Sequence, residues 1–105
     1  MLKLVQTTVA DEQQANRLAR MLVEQNLAAC VQTVPIGSTY RWQGTIEQGH
    51  EILLLIKTTA ARVAAVQETV DREHPYEVPE ILTMDIDDVT GPYAAWVEAQ
   101  TTARK

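Results

Sequence analysis

The order of hydrophobic and polar residues predicts alternating strands and helices. Residues 2–9 are rich in apolar and β-branched side chains, which predicts a first strand. Asp11 is placed to cap a following helix, with Gln14 reaching back to complete a capping box. Asn26 suits a left-handed cap at the end of that helix. The helical period is carried by apolar residues three and four apart, namely Ala15, Leu18, Ala19, Leu22 and Val23.

Two long strands are predicted in the middle of the chain. The first covers residues 27–42, and we expect an interruption near Pro35 and Gly37, because proline within a strand indicates an edge position or a bulge. A Gln-Gly pair forms the turn to the second strand, residues 45–58. The centre of this second strand, residues 52–56, is apolar on both faces, so we expect neither face to contact water.

The last third of the chain predicts a helix, a strand and a short final helix. The helix covers residues 60–73 and ends near His74, because Pro75 excludes helical dihedrals from the residue before it. Its apolar face holds Val63, Val66 and Val70. Three apolar residues mark the last strand, namely Ile81, Met84 and Ile86. A final helix begins at Gly91-Pro92, and its expected inward-facing residues are Tyr93, Trp96 and Val97.

These elements predict an α+β fold of the ferredoxin-like, split βαβ type, with the order βαββαβ and an extra C-terminal helix. The length of 105 residues fits a single domain over residues 1–105. In this fold two helices cover one face of an antiparallel sheet and leave the other face open. Because residues 52–56 have no polar side, we expect other subunits to cover most of the open face, which makes the protein an oligomer.

Charge and cysteine content narrow the classes of partner. The formal net charge is −5 and the Lys and Arg residues are scattered, which argues against nucleic-acid partners and anionic membrane surfaces. No apolar run is long enough to span a bilayer. The single cysteine, Cys30, lies among small apolar residues and is expected to be a buried hydrophobe. One cysteine and no signal-peptide pattern favour a reducing cytoplasm.

Residues 73–80 form the densest polar cluster. Two prolines stiffen this connection, which lowers the entropy cost of holding polar groups in place. His74 supplies an imidazole, Tyr76 a phenol, and Glu73, Glu77 and Glu80 carboxylates. Imidazole with carboxylate suits copper or zinc better than magnesium. The alternative is a rigid loop whose His and Tyr make structural hydrogen bonds.

A second cluster lies at residues 38–44. Strand alternation puts Tyr40 and Trp42 on one face and Arg41 on the other. The two aromatic side chains could line a pocket, or they could be buried in a subunit interface, where Tyr and Trp are common. Lys57, just after the apolar strand centre, is the cation best placed to join such a pocket.

Together these clusters carry a resemblance to the CutA family of divalent-cation tolerance proteins. The His-Pro-Tyr-Glu-Val-Pro-Glu string is the most specific match, and the matching stretches follow the family's order over nearly the whole chain. They are Val23-Glu24, Leu27–Val31, Tyr40–Gly44 with Ile46-Glu47, Glu51 with Ile56–Thr58, His74–Glu80, and Tyr93 with Trp96.

The resemblance implies a ferredoxin-like subunit in a homotrimer, related in structure to trimeric nitrogen-regulatory signalling proteins. It also implies a role in tolerance of copper and other divalent cations. Carried over by position, the copper site of some family members falls on Thr7, Glu73 and His74, where those members have a Cys and a His pair. The subunit-interface pocket of the family falls on Tyr40, Trp42, Lys57, His74, Tyr76 and Glu77.

Three hypotheses of function remain open at this stage. The first is a trimeric binding or signalling protein for a divalent metal, such as copper or zinc, or for a small anionic ligand held by Lys57 and His74. The second is an enzyme in which His74 is the general acid or base with Glu77 as its partner, although no nucleophile accompanies them. The third is a trimeric scaffold for another protein. The sequence itself predicts no catalytic residue.

Overall fold

A computed structural model describes residues 1–102 of the chain. Its elements follow the predicted order βαββαβα, with a single 3₁₀ turn at Ala60–Arg62 before the second helix. The elements are β1 (Leu2–Val9), α1 (Glu12–Glu24), β2 (Cys30–Trp42), β3 (Thr45–Thr59), α2 (Val63–Glu73), β4 (Leu82–Asp85) and α3 (Gly91–Gln100). The predicted α+β, ferredoxin-like fold with an added C-terminal helix is therefore confirmed.

The four strands form one antiparallel sheet in the order β2-β3-β1-β4. Helices α1 and α2 pack on one face of this sheet and bury its alternate residues. That core contains Val5, Val9, Ala15, Leu18, Leu22, Ile52, Leu54, Ile56, Val66 and Val70. The apolar stripe predicted for α1 packs as expected except at Val23, which is 44% exposed.

Both predicted caps of α1 are confirmed. The Asp11 carboxylate accepts a hydrogen bond from the Gln14 backbone N–H at 2.8 Å. The Gln14 side chain reaches back as predicted, although it accepts from the Ala10 backbone N–H at 3.3 Å, one residue before the cap. Asn26 adopts the left-handed conformation, with φ of 59°. These caps give the backbone groups at the two ends of α1 hydrogen-bond partners or a favourable conformation.

Strand β2 corrects two expectations. It begins at Cys30 rather than Leu27, because the backbone N–H groups of Leu27 and Ala28 both donate to the Leu22 carbonyl at the end of α1. It also runs without interruption through Pro35, which pairs with Ile52. The predicted edge position is confirmed, and it explains the continuity: an edge strand has one unpaired side, where the missing N–H of proline costs no ladder bond.

Beyond the end of β1, strands β2 and β3 continue as a projecting hairpin arm (residues 36–51). The pairing of β1 with β3 ends at Val9 and Ile52, whereas β2 and β3 stay paired as far as Trp42 and Thr45. The predicted turn is confirmed, with left-handed backbone at Gln43 and Gly44. Exposed apolar side chains line this arm, namely Tyr40, Trp42 and Ile46.

The final helix covers only one end of the second sheet face. Val97 of α3 is fully buried against Leu2 and Ala29. The expectation that Tyr93 and Trp96 also face inward is wrong for the single chain, because they are 37% and 43% exposed. A helix of ten residues packed over one end of a sheet turns few side chains toward it. Cys30, expected to be buried, is partly exposed at the same end.

The rest of this second face, here called the open face, carries several large apolar side chains and is uncovered in the single chain. Cross-strand pairing places Leu4, Leu55 and Leu82 in neighbouring rows of this face. Leu53 and Leu55 are only half-buried, and Val34 and Met84 are exposed. The apolar open face predicted from residues 52–56 is therefore present.

Candidate ligand-binding cavity

A cavity of about 500 Å³ lies between the hairpin arm and the segment that follows α2. This volume is in the range of small-molecule binding sites. The arm contributes residues 38–40 and 42 from β2, and the segment at residues 76–80 forms the opposite wall. The lining residues are Thr8, Ser38, Thr39, Tyr40, Trp42, Glu51, Tyr76, Glu77, Val78 and Glu80.

His74 ties the cavity's second wall to β1. Its ring is nine-tenths buried, and Nε2 lies 2.7 Å from the Thr8 carbonyl oxygen. The Tyr76 backbone N–H donates to Nδ1 at 3.2 Å. Because Nδ1 accepts, the proton of the neutral ring is on Nε2, which donates to Thr8. Both ring nitrogens therefore make hydrogen bonds that hold the loop. This agrees with the alternative prediction of a rigid loop in which His74 makes structural hydrogen bonds.

Tyr76 joins the two walls of the cavity. Its ring lies 4.7 Å from the His74 ring between centroids, and its hydroxyl donates to the Glu51 carboxylate at 3.0 Å. Burial, and then the hydrogen bond and charge of Glu51, raise the pKa of the Tyr76 phenol to about 12. The phenol therefore stays protonated at neutral pH and keeps donating to Glu51.

The charged side chains that line the cavity are all carboxylates. They are Glu51 on β3 and Glu77 and Glu80 on the loop, with Glu80 also accepting from the Gln6 side-chain amide at 3.1 Å. Arg41 lies between the two aromatic residues of β2, but its guanidinium donates to the Gly44 carbonyl at 3.5 Å. Negative charge with no cation in the lining favours a positively charged or neutral ligand over an anion.

Four of the six predicted ligand-binding residues line the cavity: Tyr40, Trp42, Tyr76 and Glu77. His74 lies behind them and holds the loop. Lys57 is separate, because it follows Glu51 by six residues on β3, which is about 20 Å along an extended strand. Its ammonium donates to the Gln32 side chain at 2.5 Å and lies 6.0 Å from the Tyr93 ring centroid, near α3.

The three positions predicted for a copper-type site do not form one within the described chain. The Glu73 carboxylate pairs with Arg17 at 3.2 Å and Arg72 at 3.3 Å, and the His74 nitrogens are both used. Thr7 Oγ1 is buried and without a hydrogen-bond partner, on the helix-covered side of the sheet. Across residues 1–102, no three His, Cys, Asp or Glu side chains converge as metal ligands. This donor set does not fit a resident copper or zinc ion.

Sequence reasoning left Glu51 and Thr8 out of the candidate site. Glu51 gave a usable signal, since it shares a strand face with Leu53 and Leu55 and is the polar end of that apolar row. The sequence around Thr8 gave no such signal, because the place of Thr8 in the lining depends on how the loop after α2 folds back over β1.

Within residues 1–102, no helix is long and apolar enough to cross a membrane.

Comparison with known proteins agrees with this fold. Residues 3–100 match the family model described as CutA1 divalent ion tolerance protein. The chain is 42% identical over 100 residues to the divalent-cation tolerance protein CutA of Thermus thermophilus, covering 94% of this chain and 97% of that protein. It is also 42% identical over 95 residues to Protein CutA of Mus musculus, covering 90% of this chain. The chain spans about half the length of that mouse relative, at 54%.

A solved structure gives the same result. The periplasmic divalent cation tolerance protein CutA from Archaeoglobus fulgidus superposes with a TM-score of 0.95 at 30% identity, covering 97% of this chain and 100% of that one. The sequence match extends over the hairpin arm, the segment after α2 and all four strands. The chain therefore belongs to the CutA1 divalent ion tolerance protein family.

Proposed function

We propose that the protein is a homotrimer that binds a small ligand in the cavity beside the hairpin arm and thereby contributes to the response to divalent metal ions. The cavity is the observation that carries this proposal, since it gathers Tyr40, Trp42, Tyr76 and Glu77 around about 500 Å³. The link to metal ions rests on the names of the relatives.

The open face supports self-assembly. Val34, Leu82 and Met84 are exposed there in a single chain, beside the half-buried Leu53 and Leu55. A second copy covering these rows would remove this apolar area from water, which is the main driving force for association. The number three comes from the family resemblance.

A matched pair of variants tests this assembly. Val34 on the open face is 41% exposed and Val23 on α1 is 44% exposed, so Val34→Glu and Val23→Glu make the same change at similar exposure. We expect sedimentation velocity to give a trimer of 11.7-kDa subunits for the parent and Val23→Glu, and smaller species for Val34→Glu. A monomeric parent, or a trimeric Val34→Glu, would contradict the proposed interface.

Binding is better supported than catalysis or a bare scaffold. The cavity lining contains no histidine, cysteine or lysine, and the imidazole of the nearby His74 uses both nitrogens in structural hydrogen bonds. An acid–base role for His74 with Glu77 would require breaking one of these bonds. We assign direct contacts to the four lining residues named above and a positioning role to His74. Lys57 could reach this cavity only from a neighbouring subunit.

Direct metal binding is a separate question with its own test. Since the Thr7, Glu73 and His74 positions do not fit copper or zinc, we expect calorimetric titration of metal-stripped protein with copper(II) or zinc(II) to give no heat that depends on His74. The variant His74→Gln serves for comparison because its amide can still donate to Thr8. Saturable heat at a fixed ratio per subunit, lost in His74→Gln, would restore a resident metal site.

A growth assay tests the function itself. Glu77→Gln and Trp42→Leu alter the cavity, while Glu68→Gln makes the same charge change on the exposed surface of α2. In cells that lack the protein, the parent and Glu68→Gln should restore growth in elevated copper(II) or zinc(II), and the two cavity variants should not. Full restoration by both cavity variants would place the function elsewhere on the molecule.

The cytoplasm is the proposed compartment. The proposal rests on the single, partly exposed Cys30, which suits a reducing environment. The archaeal relative is named periplasmic, so cell fractionation of the tagged full-length protein is the direct check.

A further inference from the structure

We draw no further inference here: the strongest candidate, the cleft of about 570 Å³ between Met1, the 3₁₀ turn at Ala60–Arg62 and the end of α3, rests on one helix N-terminus, since the Arg62 guanidinium beside it already donates to the Thr101 carbonyl at 2.7 Å and nothing else within residues 1–102 points to a ligand there.

Discussion

The hydrogen bonds of His74 predict that this residue stabilises the fold and holds the cavity wall. His74→Ala removes a bond of 2.7 Å to the Thr8 carbonyl and one of 3.2 Å from the Tyr76 N–H. It also removes the ring contact with Tyr76 at 4.7 Å between centroids. Since the site is nine-tenths buried, water can replace these partners only in part.

The magnitude follows from these contacts. Each hydrogen bond contributes about 1 kcal/mol net, and a buried group left unpaired costs about 1–3 kcal/mol. The ring pair adds about 0.5–1.5 kcal/mol. We therefore expect His74→Ala to lower the free energy of unfolding by about 2–4 kcal/mol. His74→Asn, whose side-chain oxygen can still accept from Tyr76, should lose about half as much.

Denaturant unfolding at a fixed protein concentration measures this loss, because the stability of the proposed oligomer would depend on concentration. Imidazole ¹⁵N shifts of the parent give an independent reading and should report the neutral tautomer with the proton on Nε2. His50, on the exposed arm, is the internal comparison. A loss below about 0.5 kcal/mol in His74→Ala, or a proton on Nδ1, would refute the structural role of His74.

Three further predictions concern Thr7, Tyr76 and Asp11. Thr7→Val removes a buried hydroxyl without a partner at nearly constant shape, so denaturant unfolding should find it as stable as the parent or about 1 kcal/mol more stable. The pKa of Tyr76 is about 12 in the folded protein, so the contribution of its protonated phenol to stability is complete below pH 10.0 and is lost as the pH rises toward 12. Spectrophotometric titration of Glu51→Gln should give a lower Tyr76 pKa. That pKa should remain above 10.0, because burial raises it more than Glu51 does. Asp11→Ala removes the 2.8 Å cap of α1 and should cost about 1 kcal/mol in the same unfolding assay.

Each of these has a clear contrary result. A loss of more than about 1 kcal/mol in Thr7→Val would mean that its hydroxyl has a partner, such as a metal ion. An unchanged Tyr76 titration in Glu51→Gln would mean that the hydrogen bond between the cavity walls is absent in solution. No loss of stability in Asp11→Ala would mean that packing alone, and not the Asp11 cap, stabilises the start of α1.

The sequence was sufficient to predict the fold because its local signals agree with one another. The stripe from Ala15 to Leu22, the cap at Asp11 and the left-handed Asn26 all specify the same helix. The apolar run at residues 52–56 indicated both the centre of the sheet and the need to cover its second face. Such agreement between local pattern and overall fold is what makes a sequence predictable.

The remaining details depend on contacts between distant parts of the chain. The sequence predicts that Trp96 faces inward, but the placement of α3 over one end of the sheet leaves it exposed. The separation of Lys57 from the cavity follows from the strand geometry of β3, whereas its hydrogen bond to Gln32 depends on the register with β2. The role of His74 could be stated only as an alternative, since its partner Thr8 lies 66 residues away in the chain.

The most direct test of the central claim is a crystal structure of the protein, because it reports the assembly and the surroundings of the cavity together. We predict three subunits joined over the open face, with space for a small ligand beside Tyr40, Trp42, Tyr76 and Glu77. A free open face would contradict the proposed assembly. A cavity filled by the protein's own side chains would contradict the proposed ligand site.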